Sequence, residues 1–178
     1  MTLGAPLLRG VIGAFFVGHG TQKLFGWFDG PGLQGFSGVM EKLQMRPPKR
    51  HAVAAGLSET AGGTLLMLGA LTPFATSALT ATMVTAIRKV HVAKGPWVTS
   101  GGYEYNVVLI AALTALAEHG PGRPSVDGDR LHGTFWALAS LGAGIAGSYL
   151  ATSPAVNEEP AQEPTGRFTR EQETVAAQ

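Results

Sequence analysis

Long apolar runs alternate with short polar or glycine- and proline-rich segments along the chain. A run of about 20 apolar residues is the length that a helix needs to cross the hydrocarbon core of a bilayer. Charged residues make up only 14% of the 178 residues, against about 25% in soluble proteins, and most of them lie between the runs. The pattern predicts an all-α membrane protein with helices over about 5–27, 51–71, 74–92, 103–118 and 131–150.

Residues 33–43 carry a shorter apolar pattern, with Phe36, Val39, Met40 and Leu43 on one face of a helix. A helix that is apolar on one side alone is typical of a segment that lies in the membrane surface. We therefore expect a short surface helix between the first two long helices.

Lysine and arginine are concentrated at one end of the predicted helices, in the loop after the first helix and at the end of the third. These residues are Lys42, Arg46, Lys49, Arg50, Arg88, Lys89 and Lys94. Because basic loops tend to stay on the cytoplasmic side, this distribution predicts a multi-pass protein of the cell membrane. Its N-terminus is expected outside and its C-terminal tail in the cytoplasm.

The composition changes at residue 152, where proline, glutamate, glutamine and threonine replace apolar residues. This change predicts a membrane domain over 1–151 and a disordered polar tail over 152–178. The first apolar run lacks the basic start and small-residue cleavage site of a signal peptide. The net charge of +1 gives no field suited to nucleic acid. The absence of cysteine excludes disulfides, thiol redox chemistry and thiolate metal ligands in these residues.

Three polar residues interrupt the first two long runs, namely His19, Lys23 and Glu59. His19 lies eight residues before Trp27, and Glu59 lies eight residues after His51. At 1.5 Å per helical residue, both are roughly 12 Å from the same end of the bundle. Polar side chains at membrane depth usually face the interior of a bundle. We therefore expect one buried polar cluster between the first two long helices.

Other polar side chains are predicted to lie near this cluster. Arg88 or His91 could complete it from the third long helix, and Tyr103, Glu104 and Tyr105 could line its mouth. The alternative for these three residues of the fourth long helix is an aromatic belt with an acidic helix start. Arg9, near the opposite end of the first helix, is expected to extend to the membrane interface.

The cluster has two interpretations that the sequence leaves open. It is either a structural ion pair that fixes the register of two helices, or a site that relays protons or binds a polar head group such as a quinone ring. A metal site is not predicted, because no two histidines or glutamates have the helical spacing of bundle ligands. A haem held between His19 and His91 is disfavoured for the same reason.

Two stretches, 30–35 and 142–147, fit the G-x-G-x-x-G pattern of dinucleotide-binding sites. That pattern requires a preceding strand in a βαβ unit, which neither stretch has. The first is predicted to be a turn. In the second, Gly142 and Ala146, or alternatively Gly144 and Ser148, are one helical turn apart, as in closely packed membrane helices. The fifth long helix therefore offers a surface for a homo-oligomer.

Four blocks, taken in order, resemble the DoxX family of small bacterial membrane proteins. The similarity extends from about residue 7 to residue 127, and each block is loose by itself while the ordered set is more specific. The blocks are 18–28 with 30–33, 59–63 with 68–73, 94–97 with 102–104, and 120–127.

The resemblance implies an antiparallel four-helix transmembrane bundle formed by the first four long helices. The fifth, C-terminal transmembrane helix and the polar tail are additions to that pattern. The resemblance also implies association with membrane oxidoreductase assemblies in sulfur metabolism or oxidative-stress defence, including subunits of thiosulfate:quinone oxidoreductase. The absence of cysteine argues against direct sulfur transfer by this chain.

Three functions follow as alternatives. The chain is a membrane subunit or anchor whose basic cytoplasmic face docks a soluble redox protein, or a quinone-binding oxidoreductase subunit in which His19 and Glu59 handle protons. The third alternative is a small-solute transporter or channel that uses Lys23 and Glu59. The sequence leaves enzymatic activity open, shows no cofactor motif, and leaves quinone binding open. A soluble helical bundle is the remaining structural alternative.

Overall fold

The computed structural model describes residues 3–157, and every regular element in that range is helical. The prediction of an all-α chain is therefore confirmed. The helices are α1 (Gly4–Phe25), α2 (Gly32–Lys42), α3 (Pro48–Leu68), α4 (Thr72–Ala86), α5 (Glu104–His119), α6 (Thr134–Ala151) and the short α7 (Pro154–Asn157).

The long helices form an up-and-down bundle in which sequence neighbours pack side by side. Helix α3 packs against α1 and α4, and α4 also packs against α5 and α6. Helix α2 lies across α1 and α3 at one end. Residues 87–103 lie at the same end as α2, and we call this end of the bundle the cavity end. The opposite end, formed by the 69–71 turn and the 120–133 loop, is the closed end.

Helices α1 and α3 approach so closely that glycine is required between them. A Cβ atom on Gly13 would lie 2.6 Å from the carbonyl oxygen of Gly63, and one on Gly20 would lie 2.6 Å from the amide nitrogen of Thr60. Small residues allow this approach, which is a common way for helices to associate in membranes. Because the pairing runs in opposite directions along the two helices, α1 and α3 are antiparallel and their register is fixed.

Helices α4 and α6 meet through a second close contact. A Cβ atom on Gly144 would lie 2.7 Å from the Cβ of Thr80, and the hydroxyls of Thr85 and Ser148 are 2.9 Å apart. Gly142, in contrast, has open space where a Cβ would stand. The small residues of α6 thus divide between a face buried against α4 and a face directed outward.

The bundle has many polar or small side chains inside and large apolar side chains outside. Thr72, Thr76 and Thr80 of α4 are buried, whereas Phe15 is 63% exposed and Phe135 is 74% exposed. A broad exposed apolar surface is typical of a protein that contacts lipid or a partner.

One helix of the described residues, α6, is long and apolar enough by itself to cross a membrane. Helices α4 and α5 have 15 and 16 residues, shorter than the roughly 20 that span the hydrocarbon core. The prediction of four spanning helices plus a fifth therefore stays a prediction.

Several predicted boundaries differ from the structure. The helix expected over 51–71 begins at Pro48, which suits the first helical position because proline lacks an N–H. The helix expected over 74–92 is α-helical only to Ala86 and continues as a π-helical turn, Ile87–His91, and a 3₁₀ turn, Val92–Lys94. The predicted tail begins at residue 152, but Pro154–Asn157 is helical, and 158–178 lies outside the described residues.

Arg9 does not extend to the membrane interface as expected. Its side chain is buried, and its guanidinium donates to the carbonyl oxygens of Met67, at the end of α3, and of Pro124. A cation that bonds the last carbonyls of a helix satisfies acceptors that have no partner within the helix. Arg9 therefore fastens the 120–133 loop to the C-terminus of α3.

Asp127 makes the matching contact at the start of α4. Its Oδ1 accepts from the Leu71 amide at 2.8 Å, and its Oδ2 accepts from the Thr72 amide at 2.8 Å and the Thr72 hydroxyl at 2.6 Å. A carboxylate at this position caps the helix and complements its dipole. The closed end is thus sealed by one cation at a helix C-terminus and one anion at a helix N-terminus.

Candidate functional site

Lys23 and Glu59 form an ion pair between α1 and α3. The Lys23 Nζ lies 2.5 Å from each carboxylate oxygen of Glu59, whose side chain is only 3% exposed. The same Nζ is 5.1 Å from the centroid of the Phe36 ring on α2, which covers the pair. The close glycine packing of α1 on α3 sets the register in which the two charges meet.

His19 lies one turn before Lys23 but does not hydrogen-bond to Glu59. Its Nδ1 is 3.1 Å from the side-chain oxygen of Gln22, whose amide nitrogen donates to the carbonyl of Phe28 at 3.3 Å. The second contact orients the Gln22 amide, so His19 Nδ1 is the donor and Nε2 is left for other partners.

A cavity of about 630 Å³ lies beside the ion pair, enclosed by α1 to α5 and the end of α6. Its walls are largely apolar, with Ile12, Met40 and Met83 among the residues that line them. Lys23 and Glu59 supply polar groups partway along the cavity. This volume and this mixture of apolar walls with a few polar groups are typical of small-molecule sites.

The cavity opens sideways between α1 and α5. Val11, Phe15 and His19 follow one another at four-residue spacing on α1, and all three both line the cavity and are exposed. On the α5 side, Tyr105 is likewise exposed and lines the cavity. A ligand can therefore reach the cavity from the side of the bundle as well as from its end.

The π-helical turn decides which side chains of the α4 segment reach the cavity. Lys89, Val90 and His91 line it. Of the two alternatives Arg88 and His91, only His91 therefore reaches the cavity; Arg88 turns to α6, where it donates to the Ser148 carbonyl at 3.2 Å and the Thr152 hydroxyl at 2.9 Å. π-Helical turns occur frequently at functional sites, because they change the direction of successive side chains.

Tyr103 and Glu104 do not line the cavity either. The Glu104 carboxylate accepts from the Val98 amide at 2.6 Å, and the Tyr103 amide donates to the Gly95 carbonyl at 3.2 Å. Both residues therefore hold the 95–103 loop in place, and neither supplies a polar group to the cavity.

Tyr105, which was expected at the mouth with Tyr103 and Glu104, does line the cavity, whereas sequence reasoning missed His51, Lys89 and Asn106 among the polar lining residues. Asn106 is buried, with its amide nitrogen 3.4 Å from the Met83 sulfur. A side-chain amide inside a charge-free apolar run is the signal that could have identified it, since buried polar groups in such runs usually face the interior.

Three histidines line this one cavity, namely His19, His51 and His91. Each has one ring nitrogen close to an acceptor oxygen of the protein. Within residues 3–157, no three histidine, aspartate or glutamate side chains are grouped closely enough to hold a metal ion.

The sequence model of the DoxX family matches residues 4–92. This chain belongs to the DoxX family. The match extends from α1 to the π-helical turn and so includes the Lys23–Glu59 pair, and membership makes the chain a membrane protein. Neither a curated protein nor a solved structure matches it.

Proposed function

We propose that this DoxX protein is an integral membrane subunit of an oxidoreductase assembly and that its cavity binds the ring of a quinone. One observation carries the proposal: an apolar cavity of about 630 Å³ opens to the side of the bundle and has an ion pair in its wall. A quinone is lipid-soluble and would enter from the bilayer through the opening between α1 and α5.

The polar groups of the cavity suit the two carbonyl oxygens of a quinone ring. The Lys23 ammonium and the Asn106 amide are donors, and hydrogen bonds from a charged donor to a buried acceptor are the stronger kind. Reduction of a quinone to a quinol takes up two electrons and two protons. Glu59 and His19 both line the cavity. In the proposed site they would pass protons taken up from water to the ring oxygens, and the electrons would come from a redox partner of the assembly.

The proposed orientation in the membrane follows from the basic residues. Lys42, Lys49, Arg50 and Lys94 are all at the cavity end, and basic segments tend to remain cytoplasmic. In this arrangement α1, α3, α4, α5 and α6 cross the bilayer and α2 lies in its cytoplasmic surface. A soluble redox protein would dock at the cavity end, next to the mouth of the cavity.

The ion pair also favours a second candidate, a non-catalytic membrane anchor. Lys23 contacts both oxygens of Glu59, so the pair is satisfied without a ligand. In the anchor the pair fixes the register of α1 and α3, and membrane lipid fills the cavity. Transport is less favoured, because Arg9 and Asp127 fasten the loops over the closed end.

The test is to purify the full chain from its native membrane in mild detergent and to quantify bound quinone by mass spectrometry. We expect about one quinone per chain in the wild type and a loss of about tenfold in the double variant Lys23→Met/Glu59→Met, which removes both charges and keeps the volume of the pair. The control is Arg123→Gln/Asp129→Asn, which removes an exposed ion pair at the closed end. Equal quinone in the wild type and the first double variant would contradict the proposed site and leave the anchor.

A further inference from the structure

A second group of polar side chains lines the cavity close to its end. His51 lies eight residues before Glu59 on α3, about 12 Å nearer the cavity end at 1.5 Å per residue. Lys89 and His91 come from the π-helical turn that follows α4, at the same end. We call His51, Lys89 and His91 the basic mouth.

The charge of the basic mouth is not balanced. Among the described residues, Glu59 is the only acidic side chain that lines the cavity, and Lys23 already neutralises it. The side-chain ammonium of Lys89 has neither a hydrogen bond nor an ion pair within residues 3–157. The cavity therefore offers a positive charge without a partner of its own.

The two histidines of the mouth are oriented by the backbone. His91 Nδ1 is 2.7 Å from the carbonyl oxygen of Gly101, and His51 Nε2 is 3.1 Å from that of Arg46. A carbonyl oxygen only accepts, so these nitrogens are donors. The remaining nitrogen of each ring is left for a ligand, to which it donates when the ring is protonated.

We propose that the basic mouth is an anion site that binds a phosphate group, as carried by the head of a negatively charged phospholipid. Lys89 supplies the charge, and His51 and His91 supply ring nitrogens. Val90 and Met45, which line the same cavity, offer an apolar surface for an acyl chain. Basic pockets between membrane helices are known to suit such head groups. The inference is independent of the quinone site, because it uses different residues at a different depth.

The test measures binding of two lipids to the full chain in detergent by native mass spectrometry. Both lipids carry a phosphate, but the choline ammonium of phosphatidylcholine offsets its negative charge. We therefore expect phosphatidylglycerol to bind about tenfold more tightly than phosphatidylcholine, and Lys89→Gln to remove that preference. The matched control is Lys42→Gln on α2, an exposed lysine at the same end that does not line the cavity. Lys89→Arg keeps the charge and should keep the preference.

A second arm distinguishes the two sources of phosphate. Inorganic phosphate is added as competitor: displacement of phosphatidylglycerol would assign the mouth to any phosphate, and no displacement would assign it to the lipid. Lys89 has no partner to lose, so Lys89→Gln should melt at the wild-type temperature without lipid. Equal binding of both lipids, or a preference that survives in Lys89→Gln, would overturn the proposal.

Discussion

The two ends of the bundle use buried charge in different ways. At the closed end, Arg9 and Asp127 bond to backbone carbonyls and amides at helix termini, groups that keep their protonation and position. At the cavity end, Lys23 bonds to the side chain of Glu59, and Lys89 has no partner within the described residues. A charged side chain that bonds to backbone groups stabilises the fold. A charged side chain that bonds to another side chain can instead exchange that partner for a ligand.

The strongest test of this difference is a double-mutant cycle on the pair at the cavity end. Glu59→Met alone leaves Lys23 half-buried without its counter-charge, and we expect the free energy of unfolding to fall by about 3 kcal/mol. The double variant Lys23→Met/Glu59→Met should recover most of that loss, because an apolar pair of similar size can replace a buried ion pair. Chemical denaturation in detergent measures both. A double variant as unstable as the single variant would show that the fold requires the ion pair for its stability.

At the closed end, no second substitution should rescue the first. Arg9→Met removes charged hydrogen bonds to two carbonyl oxygens, and we expect a loss of about 2 to 3 kcal/mol in the free energy of unfolding. Because Arg9 does not line the cavity, the quinone content of the folded fraction should stay at the wild-type level. Thermal unfolding followed by circular dichroism, with Arg123→Met as the exposed control, measures the first effect. A selective loss of quinone in Arg9→Met would contradict the inference that quinone binding depends on the cavity end alone.

The smallest effect is expected at the helix cap. Asp127→Ala removes the acceptors of the first amides of α4, and the loss of such a cap costs about 1 kcal/mol. Asp127→Asn keeps one carbonyl acceptor and should cost less. The same unfolding measurement compares the two. If Asp127→Asn were as damaging as Asp127→Ala, the carboxylate charge rather than its hydrogen bonds would hold the loop.

Depth along a helix can be predicted from sequence, and direction around it is harder to predict. Counting residues from each end placed His19 level with Glu59, because the rise per residue is constant, but the residue that contacts Glu59 in the structure is Lys23, one turn further on. The same counting could not show that Arg88 turns to α6. That direction depends on the π-helical turn, which has no reliable sequence signal. Sequence patterns also indicated α2 correctly, since its apolar face has the period of a helix.

The hydrogen-bond partners of the Arg9 side chain could not be predicted for a different reason. Its partners are the end of α3 and a loop carbonyl 115 residues further along the chain. Nothing local to Arg9 specifies that contact, so the general rule for arginine near a membrane surface gave the wrong expectation. The basic mouth was missed because His51 and Lys89 lie at helix ends, where a charged side chain usually faces solvent.

The π-helical turn after α4 has a consequence for how the mouth could change during evolution. A π-helical turn holds one residue more than the α-helical turn that it replaces, so it is what a single inserted codon would leave behind. Each residue of an α-helix advances the direction of the side chain by about 100°. Deletion of the codon for Arg88 would therefore place Lys89 where Arg88 now contacts α6 and remove the lysine charge from the cavity. The charge that the mouth presents to a ligand therefore depends on the number of residues in this turn as well as on their identity.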